Sequence, residues 1–442
     1  MIARLIRPLL PLWIAAISAI AVLPAAADVT FQDVTSPKGI HAWLVEDYSV
    51  PLITIRFAFN GGSTQDPAGK EGLANLITAL FDEGAGDLDS DAFQIRLDAA
   101  GAEMGFSASV DGISGGMRML ADQRDEAVSL LTMAIQSPRF DQNPIDRMRA
   151  QIVAGIQAGE RDPQTKAQEA WSKAIYGTHP YGRKFEGTAQ TLAGVTAADL
   201  RAFYKANFAR DNLTIGVVGA IDAATLKTVL DQIFSGLPDK ASISSTPDLN
   251  VAYGRDLHVE YALPQTSIYM AYPALKRDDP QFFAAYLMNE ILGGSDVGSR
   301  LFTEVRDKRG LAYGATSSIA NLDHADMLIV GTSTRADRAT ETLQVMQDVI
   351  AGLAKDGPMP QELAATKTYA IGSYAINNLG NSGAIASVLV SLQQKHLGID
   401  YLQRRPALID AVTIDDVKAV AKQLLGVKPT ILTVGPAAPP KP

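Results

Sequence analysis

The chain has 442 residues, enough at roughly 100–200 residues per domain for several domains with substantial cores. Apolar content of 47% and charged content of 20% are those of a soluble globular protein, and a net charge of −9 excludes a general nucleic-acid binder. There is no cysteine, which excludes disulfides and thiolate metal sites.

Residues 1–27 read as a secretory signal peptide: Arg4 and Arg7, an apolar run over 8–22, then Ala25, Ala26 and Ala27 before Asp28. The run is shorter than the ~20 residues a membrane span needs, and no later stretch could cross a bilayer. Export without disulfides fits a bacterial periplasm best.

Leu52–Phe59 reads as a strand followed by a turn and Pro67. Thr266–Tyr272 is its counterpart, followed by Pro280. Each leads to a helix expected to end at glycine, Gly84 in the first half and Gly293–Gly294 in the second. Thr196 and Thr413, 217 positions apart, each read as the N-cap of a helix that leads to a buried strand. The chain thus reads as two copies of one plan. The expected organisation is one α+β domain over 28–240, a polar linker over 241–254, a second α+β domain over 255–435, and a tail over 436–442.

In Gly72–Phe81 the residues Leu73, Leu76, Ile77, Leu80 and Phe81 form one apolar helical face. Asn75, Thr78 and Ala79 lie on the other face, which is either amphipathic surface or a site. The five histidines, His41, His179, His258, His324 and His396, include no pair at i, i+3 or i+4, so none is expected to bind metal. In the second half Leu301–Arg306 reads as helix, Gly310 as its left-handed terminator, and Leu311–Ile319 as strand.

Several of these stretches, from about Val29 to Gly435, resemble the pitrilysin, insulin-degrading enzyme and mitochondrial processing peptidase family of zinc peptidases. Gly61–Asn75 resembles the lead-in to the family's inverted zinc motif, H-x-x-E-H. Residue by residue, the two histidine positions are Asn75 and Ala79, and the glutamate position is Thr78. The family's third ligand, a glutamate in a later helix, falls near Gly155, where Gln151 and Gln157 are the nearest polar residues. Asn and Thr are poor zinc ligands and Ala is none, so no metal is expected in this chain. Tyr176–Arg183 resembles a loop that is mainly structural in the family.

Ile291–Tyr313 is the most family-like stretch. Arg306 and Tyr313 match a pair that catalytic relatives set across the cavity from zinc, where they contact substrate carbonyls and the oxyanion. Gly293 and Gly294 are candidates for letting a substrate backbone approach, with a plain helix cap as the equal alternative. The resemblance implies two homologous domains, each a mostly antiparallel sheet packed with helices, forming a clamshell. It further implies the non-zinc-binding subunit of a heterodimeric peptidase. The expected partner is a homologous subunit that carries the zinc motif and the zinc, and the expected substrates are unfolded peptides. An inert scaffold or peptide-binding protein of the same fold is the alternative.

Overall fold

The computed structural model describes residues 30–160, 162–294 and 298–436. The leader expected over 1–27 lies outside them, as does the tail apart from Pro436. Among the described residues no helix is long and apolar enough to cross a membrane.

From Phe31 onward the chain packs as one unit around two sheets. The first half supplies β1 (Gln32–Thr35), β2 (His41–Glu46), β3 (Leu52–Asn60), a short ribbon of β4 (Gly84–Ala85) and β5 (Leu88–Asp89), then β6 (Glu103–Ala108), β7 (Gly112–Leu120) and β8 (Leu213–Gly219). The second half supplies β9 (Asp256–Glu260), β10 (Gln265–Pro273), β11 (Ala312–Asn321), β12 (Asp326–Arg335) and β13 (Thr430–Gly435). The sheet orders are β1-β2-β8-β3-β7-β6 and β11-β12-β10-β13-β9. Read from opposite ends, β2-β8-β3-β7-β6 and β9-β13-β10-β12-β11 are the same arrangement. Each holds its parallel pair in the same place, β2 with β8 and β9 with β13, and the remaining ladders are antiparallel. The α+β class expected from the sequence therefore holds, and the repeat extends to strand order and direction.

Local chemistry explains the matching helices. The Thr196 hydroxyl accepts the Asp199 backbone N–H, and the Asp199 carboxylate accepts the Thr196 N–H. Thr413 and Asp416 repeat the arrangement. Each capping box satisfies donors that a helix start leaves orphaned.

The halves exchange helices. In β3, Ile53, Ile55, Phe57 and Phe59 face the first core, while Thr54 and Ala58 point to the opposite face, yet both are buried. What covers that face is helix Ser382–Gln394 from the second half. Ser382 Oγ lies 2.9 Å from Thr54 Oγ1, and Gln393 Nε2 donates to the Ile215 carbonyl at 2.9 Å. Reciprocally, helix Pro163–Tyr176 of the first half puts Ala167, Trp171 and Ile175 against Ala271, Met327, Leu432 and Val434 of the second sheet. Fully burying a large apolar side chain stabilises by about 1.5–3 kcal/mol, so each exchanged helix binds the halves together. The linker 241–254 has no helix or strand, and it is pinned at both ends of its course: Ser244 to Gln65 by two hydrogen bonds and Leu249 to the His324 carbonyl.

One expectation is corrected. The helix expected to run from Gly72 to Gly84 spans only Leu73–Thr78. At its end Ala79 N–H bonds to the Leu76 carbonyl and Leu80 N–H to the Ile77 carbonyl, i→i+3 bonds that tighten and close the last turn. Leu80 and Phe81 still enter the core, where the Phe81 ring stacks on Phe106 at 4.4 Å. The apolar spacing was right for burial but overran the helix.

Candidate functional site

Asp66 starts the helix that carries the zinc-motif positions. Its carboxylate accepts the Gly72 N–H at 2.8 Å and the Ala74 N–H at 2.9 Å. Burial pushes its pKa up to about 7, against the lowering effect of those backbone donors. Within the helix, Thr78 is buried, and its hydroxyl donates to the Asn75 carbonyl at 2.8 Å. Asn75 and Ala79 are half-buried. The Thr78 proton is thus spent on the helix's own backbone, and Ala79 presents only hydrocarbon. Gly155 lies exposed on helix Gln142–Gly159, and a Cβ built there meets no atom within 4 Å. That helix packs its other side, Ile145, Met148, Ile152 and Ile156, on the core. An amide, an engaged hydroxyl, a methyl and a bare backbone do not form the nitrogen and carboxylate set that zinc requires, so the positions do not fit the ion.

The histidines are scattered. His41 contacts Asp33, His179 contacts the Pro247 carbonyl, His258 contacts Thr433 and His324 contacts Asp248. Among the described residues no group of three or more His, Cys, Asp or Glu could hold a metal ion.

Arg306 and Tyr313 are brought together. Arg306 lies in a wide turn, Phe302–Asp307, where Lys308 N–H reaches back to the Thr303 carbonyl. Gly310, with φ +57°, ends it in the left-handed conformation that its sequence position predicts. The chain then enters the edge strand β11, which is irregular between Ala312 and Ala315. This geometry sets the Arg306 guanidinium 4.7 Å from the Phe302 ring and 4.8 Å from the Tyr313 ring. Of the two acids on the same turn, Glu304 is engaged by Lys308 and Arg309, and Asp307 forms no ion pair with Arg306 among the described residues. Arg306 therefore holds its charge between two aromatic faces. Tyr313 is 87% exposed, which no core role explains.

Gly293 and Gly294 sit in the turn Glu290–Gly294 that ends the preceding helix. A Cβ on Gly293 would lie 2.8 Å from the Ser317 backbone nitrogen, so the missing side chain lets this turn lie against β11. On Gly294 it would lie 2.5 Å from Asn289 Nδ2. Residues 295–297 lie outside the described residues.

Sequence reading passes over a second polar cluster, formed by Arg277, Tyr286, Tyr374, Tyr401 and Arg405. Its members come from four separate stretches, and no local spacing announces them.

Two family models match the chain in succession. The model for insulinase, peptidase family M16, covers residues 43–189, and the model for the peptidase M16 inactive domain covers residues 194–369. An uncharacterized zinc protease of Streptomyces coelicolor is 24% identical over 92% of this chain and 90% of its own length. A Helicobacter pylori protein named non-peptidase homolog YmxG is 23% identical over 80% of this chain and 82% of its own. The crystal structure of a peptidase M16 inactive domain from Pseudomonas fluorescens superposes with a TM-score of 0.87 at 30% identity, covering 94% of this chain and all of that one. With both halves matched by models of one family and a solved relative covered end to end, the chain belongs to peptidase family M16.

Proposed function

We propose that this chain is the non-zinc-binding subunit of a heterodimeric periplasmic peptidase, working beside a homologous subunit that carries the zinc motif and the zinc. The observation that carries the reading is an asymmetry. The motif positions offer no ligand set, while the Arg306 guanidinium, on the turn before β11, stands 4.8 Å from the ring of the exposed Tyr313 on that edge strand. An arginine fork binds carbonyl oxygens, and a phenol donates a hydrogen bond without ionising. Both are useful to a site whose metal lies elsewhere. Substrates in this reading are unfolded peptides. The free edges of β6 and β11 would give an extended segment a ladder to join.

The test is co-expression with an exported zinc-motif relative from the same genome, followed by size-exclusion chromatography and a fluorogenic peptide assay. The expected result is a stable heterodimer with activity that neither chain has alone. Full activity of the partner by itself would remove this chain from catalysis. That outcome would favour the second reading, an inert peptide-binding homologue, which the name of the Helicobacter pylori relative supports.

A further inference from the structure

In the second half, a cleft of about 410 Å³ opens beside helix Ser382–Gln394. Arg277, Arg405 and Lys395 line it, together with Tyr286, Tyr374 and Tyr401, and no acidic residue does. In a chain with 48 acidic against 39 basic residues, a wall with three cations and no acid is unusual. Two of the cations also lack ordinary compensation. Arg405 is 6% exposed; its guanidinium lies 4.1 Å from the Tyr374 ring, and its nitrogens donate to the Ala370 carbonyl at 2.8 Å and the Tyr286 hydroxyl at 3.5 Å. Arg277 lies 4.0 Å over the Phe282 ring and donates to the Tyr401 hydroxyl. Among the described residues neither arginine is in an ion pair, whereas Lys395 is paired with Asp323 at 2.7 Å and the neighbouring Arg404 with Asp400 at 2.7 Å.

Removing a guanidinium from water is costly unless charge or hydrogen bonds replace the lost solvation. Here rings, one carbonyl and two phenols do so in part, and all of them are neutral. A planar carboxylate matches the guanidinium fork with two parallel bonds. From this geometry we infer that the cleft binds a carboxylate carried by a peptide, with the aromatic walls taking the apolar part of the residue that bears it.

The surroundings give the ligand a direction. Past Arg277 and Lys395 the cleft continues into a second one of about 600 Å³, lined by Asp111, Asp278, Asp323 and Asp326 and, among cations not shared with the first cleft, by Lys276. The negative group of a bound peptide therefore belongs on the arginine side, and positive residues on the other. This inference rests on the reading of the chain as a protein that handles peptides, and it names the feature such peptides present.

The test is fluorescence polarisation on the full mature chain, without a partner and without cleavage, so that its outcome is independent of whether an active heterodimer forms. The probes are labelled peptides of one sequence ending in either a free carboxylate or an amide, with and without an internal glutamate. The expected result is at least tenfold tighter binding of a carboxylate-bearing peptide than of the amidated peptide without glutamate. Preference for the free terminus identifies the chain end as the source, and rescue of the amide by glutamate identifies a side chain. Arg277→Gln should abolish the preference of the folded chain for a carboxylate. Asn378→Asp, a near-isosteric change on the same wall, should weaken carboxylate binding about tenfold in the folded chain, beyond any stability lost with its bond to the Tyr374 carbonyl. Equal binding of all four peptides, no binding by any, tighter binding of a phosphorylated peptide than of its carboxylate counterpart, or an undiminished preference in folded Arg277→Gln would overturn it.

Discussion

The Tyr181 hydroxyl donates to Asp111 Oδ1 at 2.5 Å and accepts the His324 backbone N–H at 3.0 Å. Asp111 sits at the tip of the β6–β7 hairpin, and Asp323 and His324 sit at the tip of the equivalent β11–β12 hairpin. The other Asp111 oxygen accepts the Asp323 N–H at 3.0 Å. One phenol thus ties together the matching turns of the two repeats. This gives the loop Tyr176–Arg183 a structural task consistent with its sequence reading.

Tyr181→Phe keeps the buried ring and removes both bonds. Losing a bond to a carboxylate and one from a backbone N–H, both on half-buried residues, should cost about 1–3 kcal/mol in urea unfolding. Burial, with the Asp111 hydrogen bond and charge, pushes the phenol pKa well above its ordinary value of 10.0. Above about pH 10 the unfolded chain releases this proton while the folded chain keeps it, so stability falls as pH rises. The phenylalanine variant should lose less stability over that range than the wild type. Equal midpoints for the two proteins at pH 7 would contradict the assignment.

Asp66 gives a signal at lower pH. Its pKa of about 7 lies above the ordinary 3.8, so between those values the folded chain holds a proton that the unfolded chain has released. Stability should therefore decline as pH rises through this window, with a slope of at most about 1.4 kcal/mol per pH unit from this one group. Asp66→Asn, a neutral mimic of the protonated acid, should flatten the profile. Parallel curves for the two proteins between pH 4.5 and about 7 would show that the carboxyl is already ionised there.

Much of the fold was legible because it is written locally. Thr196 and Thr413 cap helices at a fixed offset, and alternating or continuous apolar runs mark β3, β8, β10 and β13. The helix exchange was not legible. A buried Thr54 or Trp171 says that something covers it, but not that the cover comes from some 300 or 100 residues away in sequence. The candidate site divides the same way. Asn75, Thr78 and Ala79 could be read because one helix turn spaces them, as could Arg306 and Tyr313, which are separated by a single helix end. Arg277 and Arg405 meet only through tertiary packing, and nothing in their flanking residues points from one to the other.

The exchange itself predicts a contrast between two glycines. A Cβ at Gly216 in β8 would lie 2.5 Å from the Ala386 carbonyl and 2.8 Å from Leu389 Cβ on the exchanged helix. Gly216→Ala should force that helix off the sheet and cost about 1–3 kcal/mol, as overpacked interiors do. Gly155→Ala meets open space on the exposed side of its helix and should stabilise by about 0.5–1 kcal/mol. Thermal unfolding of both variants checks the pair. Indifference to alanine at Gly216 would mean that the helix does not seat there.

In the proposed heterodimer, Tyr313 separates the two readings of this chain. Its 87% exposure makes the chemistry separable from folding, because surface substitutions usually stay within about 0.5 kcal/mol. Tyr313→Phe keeps the ring beside Arg306 and removes only the hydroxyl. If that hydroxyl donates to the oxyanion, kcat of the assembled pair should fall roughly 10²–10³-fold with KM little changed. Arg306→Ala should raise KM as well, because a guanidinium on a substrate carbonyl holds ground state and transition state alike. Neither change should alter zinc content or dimer stability, since neither residue lies among the motif positions and Arg306 forms no ion pair among the described residues. Steady-state kinetics on folded, zinc-replete pairs decide the matter. A Tyr313→Phe enzyme that keeps most of its kcat while chemistry limits the rate would remove the exposed phenol from transition-state stabilisation.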